Sequence, residues 1–160
     1  MRIIIAGGGA SGLFAAYTLA GCVFAETDRQ RQPEIIVLEA NSVFGKKILS
    51  TGNGRCNLCN TQSDVHKYYC EERSFVEAVL EQFSCQDAMR EFEKMGVALK
   101  DKDGYIYPAS MQAATVSNAL VSACRLKKSA IILFRHIRID TAKRCPERSY
   151  GMSQMLEILN

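Results

Sequence analysis

Met1-Arg-Ile-Ile-Ile-Ala6 running into Gly7-Gly-Gly-Ala-Ser-Gly12 is the stretch on which the fold turns. An apolar run of the length of one buried strand leads straight into Gly-x-Gly-x-x-Gly at Gly7, Gly9 and Gly12. A helical spacing follows at Leu13, Ala16, Tyr17, Leu19, Ala20 and Val23, and then a second apolar run, Ile35-Ile-Val-Leu-Glu39, closes on a carboxylate. Strand, turn, helix, strand and acid in that order form the βαβ unit that binds a dinucleotide. Gly7 permits the tight turn out of the strand, Gly9 lets the backbone approach a pyrophosphate, and Gly12 lets the helix pack closely on the sheet. The helix N-terminus presents free N–H groups and a partial positive charge to the phosphates. The expected cofactor contacts at this end are therefore Gly7, Gly8, Gly9, Ala10, Ser11 and Gly12, with Glu39 and the adjoining Ala40 after the second strand. Glu39 can accept from both hydroxyls of an adenosine ribose, and its charge would repel a ribose phosphate, which disfavours NADP at this position.

Glu39 lies 27 positions after Gly12, against roughly 20 in the usual fingerprint. The excess is the polar stretch Glu26-Thr-Asp-Arg-Gln-Arg-Gln-Pro33, which reads as a lengthened helix end and a loop that Pro33 keeps from being helical.

Composition bounds the rest. The 160 residues suffice for one α/β domain with a core of its own, at 48% hydrophobic and 23% charged content. The net charge of +3 is too small to imply nucleic acid. The basic residues crowding the last quarter, from Arg125 to Arg148, read as a solvated face. No apolar run reaches membrane-spanning length, and the glycines that interrupt the N-terminal run rule out a signal peptide. Seven cysteines, an odd number scattered along the chain, fit reduced thiols and a cytoplasmic location better than a disulfide framework.

A second motif occupies Gly45-Lys-Lys-Ile-Leu-Ser-Thr-Gly-Asn-Gly-Arg-Cys-Asn-Leu-Cys-Asn60. A loop so polar, directly after the ribose carboxylate, is placed to run along the cofactor near the carboxyl ends of the strands. Backbone N–H groups from Gly52 through Gly54 to Arg55 are candidates for an anion-binding nest. Lys46, Lys47 and Arg55 can neutralise phosphate or an anionic flavin. A surface loop with its lysines in water is the competing reading.

These segments, with Gly104-Tyr-Ile-Tyr-Pro-Ala-Ser110, resemble the BaiN/YhiN-like NAD(P)/FAD-dependent oxidoreductases, a bacterial family often described as aminoacetone oxidase-like or bile-acid-dienone reductase-like. The likeness runs from Gly7 to about Leu120. It implies FAD, with the adenosine ribose on Glu39, the pyrophosphate over Gly7 to Gly12, and Lys46, Lys47 and Gly52 to Asn57, including Cys56, toward the flavin. It also implies a Rossmann-like domain over residues 1–140, continued in relatives by segments that complete the flavin site, so that the chain reads as the N-terminal part of a larger flavoprotein with a tail at 141–160. Three positions depart from the pattern: Asn53 replaces a usual glycine, Cys59 a hydroxyl residue and Tyr105 an arginine.

The implied function is hydride transfer between NAD(P)H or an organic substrate and flavin, acting on a small molecule rather than a nucleic acid or a membrane. The competing readings are a non-catalytic nucleotide-binding remnant and a flavoprotein acting on tRNA. Cys56-Asn-Leu-Cys59 also admits a redox dithiol or half of a zinc site. Zinc would need two more ligands, and His66 and His136 lack the spacing to supply them. The expectation is that Cys56 belongs to the cofactor loop and that Cys59 is incidental.

Further along, apolar spacing predicts a helix over 74–83. A second starts at Ser84, with Asp87 completing a capping box and Gly96 ending it. A hairpin is expected about Asp103-Gly104, then a helix over 111–124 capped by Ser110, a parallel strand over 131–134, and a short helix near 152–159. Tyr105 and Tyr107 are expected to pack within the hairpin, and His66 to be solvated.

Overall fold

The computed structural model describes residues 2–24, 34–126 and 131–135. The expected polar loop before Pro33, the tail with its last helix, and His136 lie outside them.

Two sheets organise the chain. The first is parallel, in the order β1 (Arg2–Ala6), β2 (Glu34–Glu39), β6 (Ile131–Arg135), with β2 central. Arg2 pairs with Glu34 and Ala6 with Leu38, while Ile35 pairs with Ile131 and Glu39 with Arg135. β2 is buried from Ile35 to Glu39. That explains why its sequence is a continuous apolar run rather than an alternation. β1 ends the sheet among the described residues and alternates, with Ile3 and Ile5 against the core and Ile4 39% exposed.

Helix α1 (Ala10–Phe24) connects β1 to β2 and buries Leu13, Ala16 and Ala20, a spacing that keeps one stripe facing the core. Two alanines in that stripe let α1 approach its neighbours closely. Its principal helical partner is α4 (Ala113–Leu126), which buries Ala113, Val116, Leu120, Ala123 and Cys124. The Cys124 thiol donates to the Leu13 carbonyl at 3.4 Å across this contact. On its other flank Phe14 of α1 meets Phe83 edge-on at 5.5 Å and Phe92 at 6.1 Å, joining α1 to the next two helices.

Those helices are α2 (Arg73–Gln82) and α3 (Cys85–Lys94). Ser84 separates them and caps α3 in a full capping box: its side chain accepts from the Asp87 N–H, and Asp87 accepts from the Ser84 N–H at 2.8 Å. Gly96, at φ +83°, turns the chain out of α3 as expected. The second sheet is antiparallel, in the order β3 (Cys59–Asn60), β5 (Tyr105–Pro108), β4 (Leu99–Lys102). Its β4–β5 hairpin turns at Asp103 and Gly104, where the Asp101 carboxylate accepts from the Gly104 N–H at 2.8 Å.

One expectation needs correction, and one element was not foreseen. Ser110 does not cap α4. Met111 adopts φ +55°, and the helix starts at Ala113, while the Ser110 hydroxyl is engaged with Thr115 and the Gln112 N–H. The strand β3 was not expected at all, because two residues carry no periodicity to read.

Candidate cofactor site

The carboxyl ends of β1 and β2 hold the site. Gly7 leaves β1 at φ +108°, a conformation that costs a side chain heavily, and its N–H is held by the Leu38 carbonyl at 2.8 Å. A Cβ at Gly12 would overlap the Gly7 carbonyl oxygen and press on Ile5 at 3.3 Å, so glycine is needed for the turn itself as well as for packing on the strand. Gly8 is equally confined: a Cβ there would run into the Phe44 ring and come within 3.1 Å of the Glu39 carboxylate. Gly9 is the opposite case, with open space where a Cβ would stand.

The Leu13 N–H bonds the Gly9 carbonyl at 3.0 Å, so Ala10, Ser11 and Gly12 lead the helix with N–H groups that have no intrahelical partner. No acidic residue lies in the first turn of α1. An open approach at Gly9, aligned N–H groups and a first helical turn without acidic residues fit the pyrophosphate of a dinucleotide.

Glu39 ends β2 only 8% exposed. One carboxylate oxygen accepts from the Gly8 N–H at 2.9 Å, and the other from the Asn41 N–H at 2.8 Å and side-chain amide at 2.7 Å. Burial pushes its pKa up, but these hydrogen bonds outweigh that and hold Glu39 below the ordinary carboxylate value. The acid thus clamps the glycine turn to the end of β2. Ala40 beside it is exposed.

The second motif starts from the same place. The Gly45 N–H bonds the Gly8 carbonyl at 2.7 Å, Gly45 packs on Ser117 of α4, and Lys46 Nζ reaches the Asn41 side chain at 3.2 Å. Lys47 is exposed. A 3₁₀ stretch, Ile48–Gly54, follows along α4. It is broken at Gly52 and Asn53, which both adopt φ +53°. Asn53 thus fills a left-handed position that asparagine tolerates, which accounts for its standing where glycine is usual.

The few apolar residues of this polar loop, Ile48 and Cys56, anchor it in the core beside Phe44. Cys56 is 6% exposed at φ +58°, so its thiol packs inward and only its backbone is available to a ligand. The nest expectation is corrected in part. The Arg55 N–H is spent on the Gly52 carbonyl at 3.2 Å and the Cys56 N–H on Thr51 at 3.0 Å. Arg55 and Asn57 are exposed, and a Cβ at Gly52 would come within 2.9 Å of the Asn57 N–H and 3.8 Å of the Tyr107 ring.

The structure therefore gathers Gly7 to Gly12, Glu39, Gly45 and Lys46 around one turn, and carries Gly52 to Asn57 onward against α4 and β5. Sequence reading missed Asn41 and Phe44, the residues that fix Glu39 and shape Gly8; an asparagine two positions after the acid was the available signal. His66 is exposed, its ring nitrogen 3.0 Å from Arg73. Tyr105 is exposed and Tyr107 half-buried. Among the described residues no three His, Cys, Asp or Glu side chains gather in a way that could hold a metal ion. No described helix is long and apolar enough to cross a membrane.

Residues 1–154 match the HI0933-like protein Rossmann domain. The chain is 39% identical over 142 residues, 89% of its length, to a 3-dehydro-bile acid delta(4,6)-reductase of Clostridium scindens. It is 30% and 29% identical, each over 62% of its length, to ribosomal RNA dihydrouridine synthases of Escherichia coli and Haemophilus influenzae. It spans 32% of the length of the first of these relatives and 22% and 23% of the other two. A parallel sheet, a glycine turn closed by a buried acid, and a match over nearly the whole chain place this protein in the HI0933-like family, of which it carries the Rossmann domain.

Proposed function

We propose that the chain is the FAD-binding portion of a flavin-dependent oxidoreductase that moves hydride between NAD(P)H or a small organic substrate and the flavin. The observation that carries this reading is the glycine turn, open at Gly9 and clamped by Glu39, with the motif loop leaving from the same point. Flavin, when bound, supplies the two-electron chemistry through its isoalloxazine ring. Gly7 to Gly12 hold the pyrophosphate, with Ala10, Ser11 and Gly12 donating from the helix end. Glu39 and Ala40 border the ribose, and Glu39 repels a ribose phosphate. Lys46, Lys47 and Arg55 balance negative charge along the loop, and Gly52, Gly54, Cys56 and Asn57 offer backbone toward the flavin side. On this reading residues 1–140 belong to one cofactor domain in a cytoplasmic protein.

The 39% identity to a bile-acid reductase supports a small organic substrate for the whole protein. A second reading has independent support: two relatives are named for acting on ribosomal RNA, and Lys46, Lys47 and Arg55 are exposed cations on the motif loop. Equilibrium dialysis against FAD and against FMN tests the first. FAD retained and FMN not retained is the expected result, since recognition rests on the adenosine end; equal retention or none overturns it. Filter binding of ribosomal RNA, strong at low salt and lost at high salt, would favour the second.

A further inference from the structure

We propose that Cys59 and Cys85 are a reversible dithiol–disulfide pair, a modification site in which this chain exchanges two electrons with small thiols and disulfides. The two cysteines lie 26 positions apart, yet their sulfurs stand 2.6 Å from each other, and the Cys59 thiol also donates to the Cys85 carbonyl at 3.6 Å. That separation is about half an ångström beyond a disulfide bond, so the two sulfurs already stand within reach of each other. Both residues are partly exposed, which admits a small reagent. Cys56, the other candidate partner in the C-x-x-C, is buried in the core instead.

Burial and the neighbouring Cys85 push the Cys59 thiol up to about 12; either sulfur can make the first attack, and the product is the same. Cys85 heads α3, directly after the capping Ser84. Where Cys85 leads and glutathione disulfide is the oxidant, the Cys85 thiolate attacks one sulfur and releases one glutathione thiolate. Cys59 then attacks the Cys85 sulfur of the mixed disulfide, forms the Cys59–Cys85 bond and releases the second. The net change oxidises two protein thiols, reduces one glutathione disulfide to two glutathiones, and runs backward with excess thiol.

The cross-link would tie β3, the strand that leaves the Gly52 to Asn57 loop, to the first turn of α3. It would thereby make the hold on that loop depend on redox state. None of this rests on the assignment of FAD.

The test is thiol mapping of the native, full 160-residue chain equilibrated with glutathione disulfide, then alkylated and digested with trypsin. Cleavage at Arg55, Lys67, Arg73 and Arg90 puts Cys59 on peptide 56–67 and Cys85 on peptide 74–90. The expected result is one species joining these two peptides, two hydrogens lighter than their sum, with fragmentation placing the bond on Cys59. It returns to the free peptides on reduction. In Cys59→Ala and Cys85→Ala the surviving thiol should carry glutathione instead. Both peptides fully alkylated under conditions that modify the exposed Cys22 and Cys70 would overturn the proposal, as would a bond on Cys56 or a link between chains. The wild-type chain decides the matter whether or not a variant folds.

Discussion

Gly9 and Gly12 belong to the same fingerprint but answer to different demands, and substitution separates them. A methyl at Gly12 meets the Gly7 carbonyl oxygen, whereas a methyl at Gly9 meets open space. Gly12→Ala should therefore destabilise the fold by about 1–3 kcal/mol, read as a lowered denaturation midpoint. Gly9→Val should leave the midpoint nearly unchanged and weaken dinucleotide binding, read by FAD titration. Glu39 gives a pH signature. Its pKa is held below the ordinary 4.5 in the folded chain. Its contribution is thus present above that value and lost as pH falls through the lower, folded value. Denaturant midpoints measured from pH 6 down to pH 3 should drop, and Glu39→Gln should flatten that drop; an identical slope in the variant would remove Glu39 as its source. The sequence announced both glycines and the acid, because the turn demands them wherever it occurs. Asn41, two positions after the acid it holds, was legible locally; Phe44 was not, because its role exists only once β2 has brought Glu39 back to Gly8.

Elements were legible where their signals are local. The capping box at Ser84 and Asp87 lies within four residues, and the hairpin turn at Asp103 and Gly104 within two, so both stood in the sequence as they stand in the fold. Ser84→Ala should cost about 1 kcal/mol, measured as loss of α3 stability by urea denaturation; no change would mean that packing of Phe92 alone sets the helix. The start of α4 was misread because Ser110 looks like a cap, while Met111 takes a left-handed conformation that delays the helix to Ala113. β3 escaped notice because a two-residue strand exists only through its pairing with β5. The Cys59–Cys85 contact escaped for the same reason: local spacing pointed to Cys56, and the fold supplied a partner 26 positions away. If that pair is oxidised, closing a loop of this length should raise the melting temperature by about 5–10 °C, measured by thermal scans with and without reductant.

At the scale of the whole molecule, one parallel sheet carries the site and an antiparallel sheet supports the loop that leaves it, with α4 packed between α1 and that loop. Among the described residues β1 ends the sheet, and Ile4 is exposed on a strand type usually covered on both faces. Helix α2 likewise turns Phe75 outward, 69% exposed, despite its regular apolar spacing. Periodicity identified that helix but could not say which apolar face would find a partner. If Gly7 to Gly12 and Glu39 form a working FAD cradle, a visible absorption spectrum will show it. The chain and its Gly9→Val variant would be incubated with FAD, freed of unbound flavin by gel filtration and scanned. Flavin bands should travel with the wild-type chain and be lost from the variant; no bands on the wild-type chain, or equal bands on both, would show that these residues do not hold the cofactor.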